Sequence, residues 1–204
     1  GDCDLKYGAQ CLEAAKRCFA WTAKQKIQRA GEAGTGIAAG VELYRTTGDK
    51  LYLDYAIEAA DFLLQLQEKE YVGGQKEVRG FFYDNIERSG AGDDGLSSTE
   101  SMVISLFDLL KTLPNHEKSS SWRQAIRLYV EDFLAAIAKR NPFSLVPLRV
   151  YVKDIPPGSR MIGKLGFRYF TKPPWLIGGN RYILSKGVVL ARAAALFKRP
   201  EWMV

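Results

Sequence analysis

The stretch that decides the fold is AGTGIAAGVELYRTTGDKLYLDYA, residues 33–56. Alanine and glycine recur through its first half with Ile37, Val41 and Tyr44 at helical steps, and TTGDK then interrupts the pattern. Gly48 is suited to the left-handed residue that ends a helix, and Asp49 to the N-cap that starts the next. The spacing predicts a helix near Gly36–Thr46 and a second that starts at once, turning Leu51, Tyr55, Ala59, Phe62, Leu63 and Leu66 inward. Two helices joined by so short a link must lie antiparallel.

The same periodicity extends in both directions. Upstream, Leu5, Gly8, Leu12, Ala15 and Phe19 form one stripe of a first helix. Downstream, SSTE places Ser97 and Glu100 as a capping box before Val103, Leu106, Phe107 and Leu110. A fifth helix follows SSS, with Trp122, Ile126, Tyr129, Phe133 and Ile137 as its stripe, and a sixth carries Ile183, Leu184, Val188, Ala191 and Ala195. Six helices and few convincing strands in 204 residues predict an all-α chain of antiparallel hairpins. Two connections are long, about residues 69–96 and 140–178, and are predicted to be irregular loops. Loops of that length inside a compact domain are uncommon and are often functional.

Composition narrows the chemistry. At 47% hydrophobic and 25% charged the chain is ordinary globular material, and it contains no apolar run approaching the roughly 18 residues of a membrane span. The first residues lack the basic start and apolar stretch of a signal peptide. The absence of an initiating methionine, and a last segment RPEWMV that reads as the opening of another helix, suggest a piece of a longer polypeptide. Cys3, Cys11 and Cys18 all fall in the first helix at spacings that fit no zinc knuckle, and are expected to face the core as free thiols. His116 is the single histidine, which removes the HExxH zinc helix and multi-histidine metal sites. Acid–base chemistry falls to carboxylates, tyrosine or lysine, with no metal and no cofactor expected. The net charge of +6 permits a nucleic-acid partner, but no nucleic-acid-binding module accompanies it, so that partner is not expected.

Both long loops are aromatic. In the first, Phe81, Phe82 and Tyr83 precede Asp84; flat rings beside carboxylates suit a sugar, which offers an apolar face and a rim of hydroxyls. The competing reading packs these rings on the helices, and treats AGDDG at residues 91–95 as a turn into the Ser97 cap. The second loop holds seven Lys or Arg against one acid, Asp154, among rings that include Tyr151, Phe167 and Trp175. That mixture suits an anionic polysaccharide, or single-stranded nucleic acid held by stacking and charge, or it is a wrapping segment with solvated charges, and LVPLRVYV reads as one short strand. After this loop Asn180, Arg181 and Tyr182 open the last helix, Asn180 as its cap.

Three stretches in order resemble glycoside hydrolase family 9 and related six-hairpin glycosidases. YGAQCLEAAKRCFAWTAK is similar to the family's preceding helix, residues 33–56 to its LYR-TGD hairpin, and GGNRYILSKGVVLARAAAL to a later helix that also opens on Arg-Tyr. The resemblance implies that residues 1–204 form one part of an (α/α)6 toroid, completed by the remainder of the same chain or by another subunit. It implies carbohydrate as partner, and inverting hydrolysis of β-glycosidic bonds by an acid and a base about 6.5 to 9.5 Å apart. The family's catalytic Asp and Glu lie upstream and downstream of the matching helices, so the catalytic pair is expected outside these residues. AGDDG follows the TGD hairpin rather than preceding it, so no catalytic role passes to Asp93 or Asp94. The expected substrate-binding residues are Tyr83, Asp84, Trp175, Arg181 and Tyr182. Polysaccharide hydrolysis implies a secreted or periplasmic setting. Two other readings stay open: a non-catalytic carbohydrate-binding or scaffold protein on the same toroid, and a polysaccharide lyase acting on an anionic polymer.

Overall fold

Gly48 adopts φ 75°, donating its N–H to the Tyr44 carbonyl, and the Asp49 carboxylate accepts the Leu51 N–H at 3.0 Å. The left-handed cap and the N-cap are therefore where the sequence puts them, and they fold α2 (Ala30–Thr47) back on α3 (Lys50–Gln65). The computed structural model describes residues 2–71, 79–88, 91–92, 99–140, 146–151, 167–168, 175–178 and 183–203.

Helices dominate, as the periodicity predicts. Besides α2 and α3 they are α1 (Asp2–Thr22), α4 (Thr99–Thr112), α5 (Ser119–Leu128), α6 (Ala136–Arg140) and α7 (Ile183–Phe197). A π-helical segment, Tyr129–Ala135, joins α5 to α6, so that residues 119–140 make one rod. No described helix is long and apolar enough to cross a membrane.

Packing alternates along the chain. α2 lies against α3, but also against α4, and α4 in turn against α7. α2 and α4 run parallel, because Gly34 meets Met102 and Ser105 near their starts while Arg45 reaches the Asp108 carbonyl and Thr112 near their ends. α3 and the 119–140 rod return between them and touch each other. Alternate helices thus share a layer.

Small residues set the closeness of these contacts. A Cβ on Gly40 would stand 2.4 Å from the Tyr52 carbonyl oxygen, and one on Gly34 2.7 Å from Met102. The alanines and glycines of residues 33–40 are what allow α2 to approach both neighbours. The core then fills with Ile37, Leu63, Met102, Leu106, Trp122, Tyr129 and Phe133, all fully buried. The expected stripes of α4 and of the rod are buried as read. His116 stacks on Trp122 with ring centroids 5.2 Å apart.

Other faces depart from expectation. In α3 Leu51 is exposed and Tyr52 and Leu53 are buried instead, while Tyr55 and Phe62 are half-buried. In α7 Val188 and Ala195 face solvent, and Lys186, Val189, Leu190, Ala193 and Ala194 turn inward. In α3 the reading holds for Ala59, Leu63 and Leu66, which are buried, so only part of its face is turned; in α7, which is mostly apolar, the buried face lies beside the expected one. Residues 200–202 make a single 3-10 turn with Trp202 buried against Phe197.

α1 departs most. Of its expected stripe only Phe19 is buried and Leu12 half-buried, while Leu5, Gly8 and Ala15 are exposed. Phe19 packs edge-on against Tyr52 and Tyr55, with centroids 4.9 and 5.0 Å away. Cys11 and Cys18 are exposed free thiols, contrary to the core-facing expectation. They lie a seven-residue step apart on a neighbouring stripe, so seating Phe19 turns them to the edge of the contact. The side chain of Cys3 and the cap residue Ser97 lie outside the described residues.

Both long connections, expected to be irregular, contain strands. Ala91–Gly92 (β1) in the first pairs antiparallel with Pro147–Tyr151 (β2) in the second. Trp175–Gly178 (β4) adds to β2, and Phe167–Arg168 (β3) to β4, giving the order β1-β2-β4-β3. The strand read in LVPLRVYV is β2, and hydrogen bonds join the two long connections into one sheet.

Candidate functional site

Because α2 and α4 are parallel, the segments that precede them arrive at the same end of the layer. One is residues 23–29; the other is the connection after α3. Leaving α3, Leu66 accepts the Tyr83 N–H, the Glu68 N–H donates to the Phe81 carbonyl, and the Gly80 N–H donates to the Glu68 carbonyl. These bonds pair residues 66–68 with residues 80–83 as a narrow ribbon. On its returning side Gly80 takes φ 91°, and a Cβ there would lie 2.3 Å from the Leu128 carbonyl oxygen. Only glycine passes the rod at that distance.

Phe81 and Phe82 are fully buried, Phe81 against Phe133 and Phe82 against Tyr129. The packing reading of these rings is thus the observed one. Gln67, also buried, spends its amide N–H groups on the Gly80 and Ala125 carbonyls. Arg79 stacks 4.3 Å over Tyr71 and bonds the Asp132 carboxylate at 2.8 and 2.9 Å. Together these contacts fix the ribbon to the rod.

The ribbon ends in a polar tip. Tyr83 is 6% exposed, with its ring edge-on to Phe81 and its hydroxyl donating to Glu68 Oε2 at 2.6 Å. Burial, reinforced by that carboxylate, pushes the phenol well above its ordinary value, so the neutral form donates at all ordinary pH. Glu68 is 5% exposed; its Oε2 also takes Arg88 Nη1 at 3.4 Å, and its Oε1 accepts the Glu70 N–H at 3.0 Å. The Arg88 guanidinium sits 4.8 Å over the Tyr83 ring, on a residue with φ 50°.

Between Tyr83 and Arg88 the chain turns outward. The Asp84 carbonyl accepts the Ala30 N–H at 2.8 Å and so caps the start of α2. Arg29 and Asn85 form a bridge, and the Asp84 carboxylate lies 4.0 Å from Arg29 Nε. Glu32 holds the other side, accepting the Gln28 and Arg29 N–H groups at 2.9 and 3.1 Å. Beside the tip lies a cavity of about 350 Å³, lined by Lys26, Ile27, Gln28, Arg29, Phe62, Asn85, Ile86 and Glu87.

Of the residues expected to bind substrate, Tyr83 and Asp84 are brought to this tip. Tyr83 belongs to the core and Asp84 to the accessible surface. Trp175 opens β4 opposite Tyr151 of β2. Arg181, Tyr182, Asp93 and Asp94 lie outside the described residues. Among the described residues no group of three or more His, Cys, Asp or Glu side chains is placed to hold a metal ion.

Sequence reasoning missed Glu68 and Arg88. Their signal is weak: LQEKE reads as the frayed end of α3, and the partners of Glu68 come 15 and 20 residues later, across a turn with no helical period. The chain matches no family model, no curated protein and no solved structure.

Proposed function

We propose that the chain is a section of a carbohydrate-active (α/α) toroid of the glycoside hydrolase family 9 kind, acting in inverting hydrolysis of β-glycosidic bonds. The observation that carries this reading is the alternation of helices between layers, α2 on α4 and α4 on α7 with α3 and the rod returning between them. A toroid of hairpins is built by repeating that step around a circle. The two long connections support it, because both precede helices of the same layer and meet in one sheet.

In this reading the tip and the sheet shape a sugar cleft, while the acid and the base that perform inversion come from other parts of the toroid. Asp84 and Asn85 contribute hydrogen bonds to hydroxyls, and the second connection contributes positive charge and rings.

The test incubates the completed toroid, this chain together with the polypeptide that closes it, with soluble β-glucans and with an anionic polysaccharide, follows new reducing ends, and reads the anomer first released by NMR. Cleavage of β-glucan with inverted configuration is the expected result. Binding without product makes the protein a carbohydrate-binding or scaffold protein instead. Unsaturated ends from the anionic polymer make it a lyase, and binding to none of the polymers overturns the reading.

A further inference from the structure

We propose that Glu68 is a positioning residue, whose buried carboxylate clamps both stems of the tip 84–87 and so holds a sugar subsite formed by Asp84 and Asn85 with Lys26 and Arg29. The subsite rests on the carbohydrate reading above; the clamp does not.

The geometry argues for a clamp. Tyr83 and Arg88 bracket a four-residue tip, and both end on the same oxygen, Glu68 Oε2. The guanidinium over the Tyr83 ring closes the bracket, and the Arg88 N–H donates to the Asn85 carbonyl at 3.2 Å to complete the turn. Arg88 takes a left-handed backbone conformation, which a non-glycine residue keeps only when its surroundings hold it. A carboxylate taken out of water is costly unless several donors meet it, and here three do. Packing alone would be served by an apolar side chain at residue 68.

What the clamp presents is chemically mixed. Ile27, Ile86 and Phe62 give the cavity an apolar wall, and Lys26, Gln28, Arg29, Asn85 and Glu87 give it a polar rim. Its volume of about 350 Å³ is enough for a small ligand. Asp84 and Arg29 are 4.0 Å apart, too far for a direct hydrogen bond, and a sugar hydroxyl that accepts from the guanidinium and donates to the carboxylate fits between the two groups. The Ala30 N–H, bonded to the Asp84 carbonyl, reports whether the tip is seated.

The experiment compares the wild-type protein with Glu68→Ala, Glu68→Gln and Tyr83→Phe. It reads hydrogen exchange at the Ala30 amide and at core amides of α4, and the Kd for cellohexaose. Glu68→Ala is expected to speed Ala30 exchange and raise the Kd, each about tenfold, with the α4 amides unchanged. Glu68→Gln keeps an acceptor for Tyr83 and is expected to recover most of both. Should Glu68→Ala fail to fold, Tyr83→Phe removes one stem of the clamp alone and is expected to move both readouts in the same direction. Unchanged Ala30 exchange in every folded variant overturns the clamp. Faster exchange with a wild-type Kd overturns the subsite. If neither cellohexaose nor an anionic oligosaccharide binds the wild-type protein while Ala30 exchange responds, the carbohydrate reading falls and the clamp stands.

Discussion

α2 has two unlike flanks. Toward α3 and α4 its glycines bring backbones into contact, with Gly40 against the Tyr52 carbonyl and Gly34 against Met102. Toward α1 it offers a groove of about 500 Å³ edged by Cys11, Cys18, Leu43 and Tyr55, into which Phe19 reaches. Both flanks are apolar in composition, so hydrophobicity does not distinguish them. Shape does: one side is closed by residues too small to hold helices apart, and the other is held chiefly by Phe19 with Leu12 half-buried beside it.

The largest test of this contrast is at the closed flank. Ile37→Ala, at a fully buried position, is expected to cost about 3 kcal/mol in urea unfolding, with the whole cooperative transition moving. Gly40→Ala comes next, at about 2 kcal/mol, because its Cβ would overlap main-chain atoms of α3 that cannot rotate away. A loss below about 0.5 kcal/mol at either site would mean that the flank is looser than described.

At the open flank the effects should be smaller and local. Phe19→Ala is expected to release α1, so that hydrogen exchange quickens across residues 5–22 while amides of α4 keep their protection. Coupled loss at both places would make α1 part of the same cooperative unit and remove the contrast. Cys11 and Cys18 are expected to react with an aromatic disulfide reagent in the native protein at nearly the rate of the unfolded chain. Slow reaction would show that something covers α1. The smallest effect has the opposite sign: Gly8→Ala meets nothing within 4 Å and is expected to stabilise the helix by at most about 1 kcal/mol, against the loss at Gly40. The two glycines share a helical setting and differ in what stands over them.

How much of this was legible follows the range of each signal. The α2–α3 hairpin is readable because its determinants, Gly48 and Asp49, act within a few residues. The rod's stripe from Trp122 to Ile137 is readable because five large side chains leave one possible face. α1 misleads in extent: Phe19 and Leu12 of the stripe read from the sequence pack against Leu43 and Tyr52, but periodicity does not say how far a partner runs, and Leu5 is exposed, as are Tyr7 and Trp21 on another stripe. α7 misleads because alanines and valines surround it almost completely, so a shift of one residue costs little in pattern. The β1–β2 pairing joins Ala91 to Tyr151, far beyond any local rule. At the tip, the loop and its aromatics were legible as a place of interest, but which ring is core and which carboxylate is buried depends on partners brought in by the ribbon. The same limit hid Glu68.

The π-helical segment has one consequence for the rod's tolerance of insertion and deletion. Residues 129–135 wind wider than the turns on either side, so they hold about one residue more than an α-helix of the same rise. A single-residue deletion inside the segment would let it relax to α geometry and leave Trp122 upstream and Ile137 downstream facing the core as before. The same deletion in α5 would turn every later side chain by about 100° and carry Phe133 out of the interior. The wide turn is a splice in the frame of the helix, the one place along the rod where length can change without changing which way the protein faces.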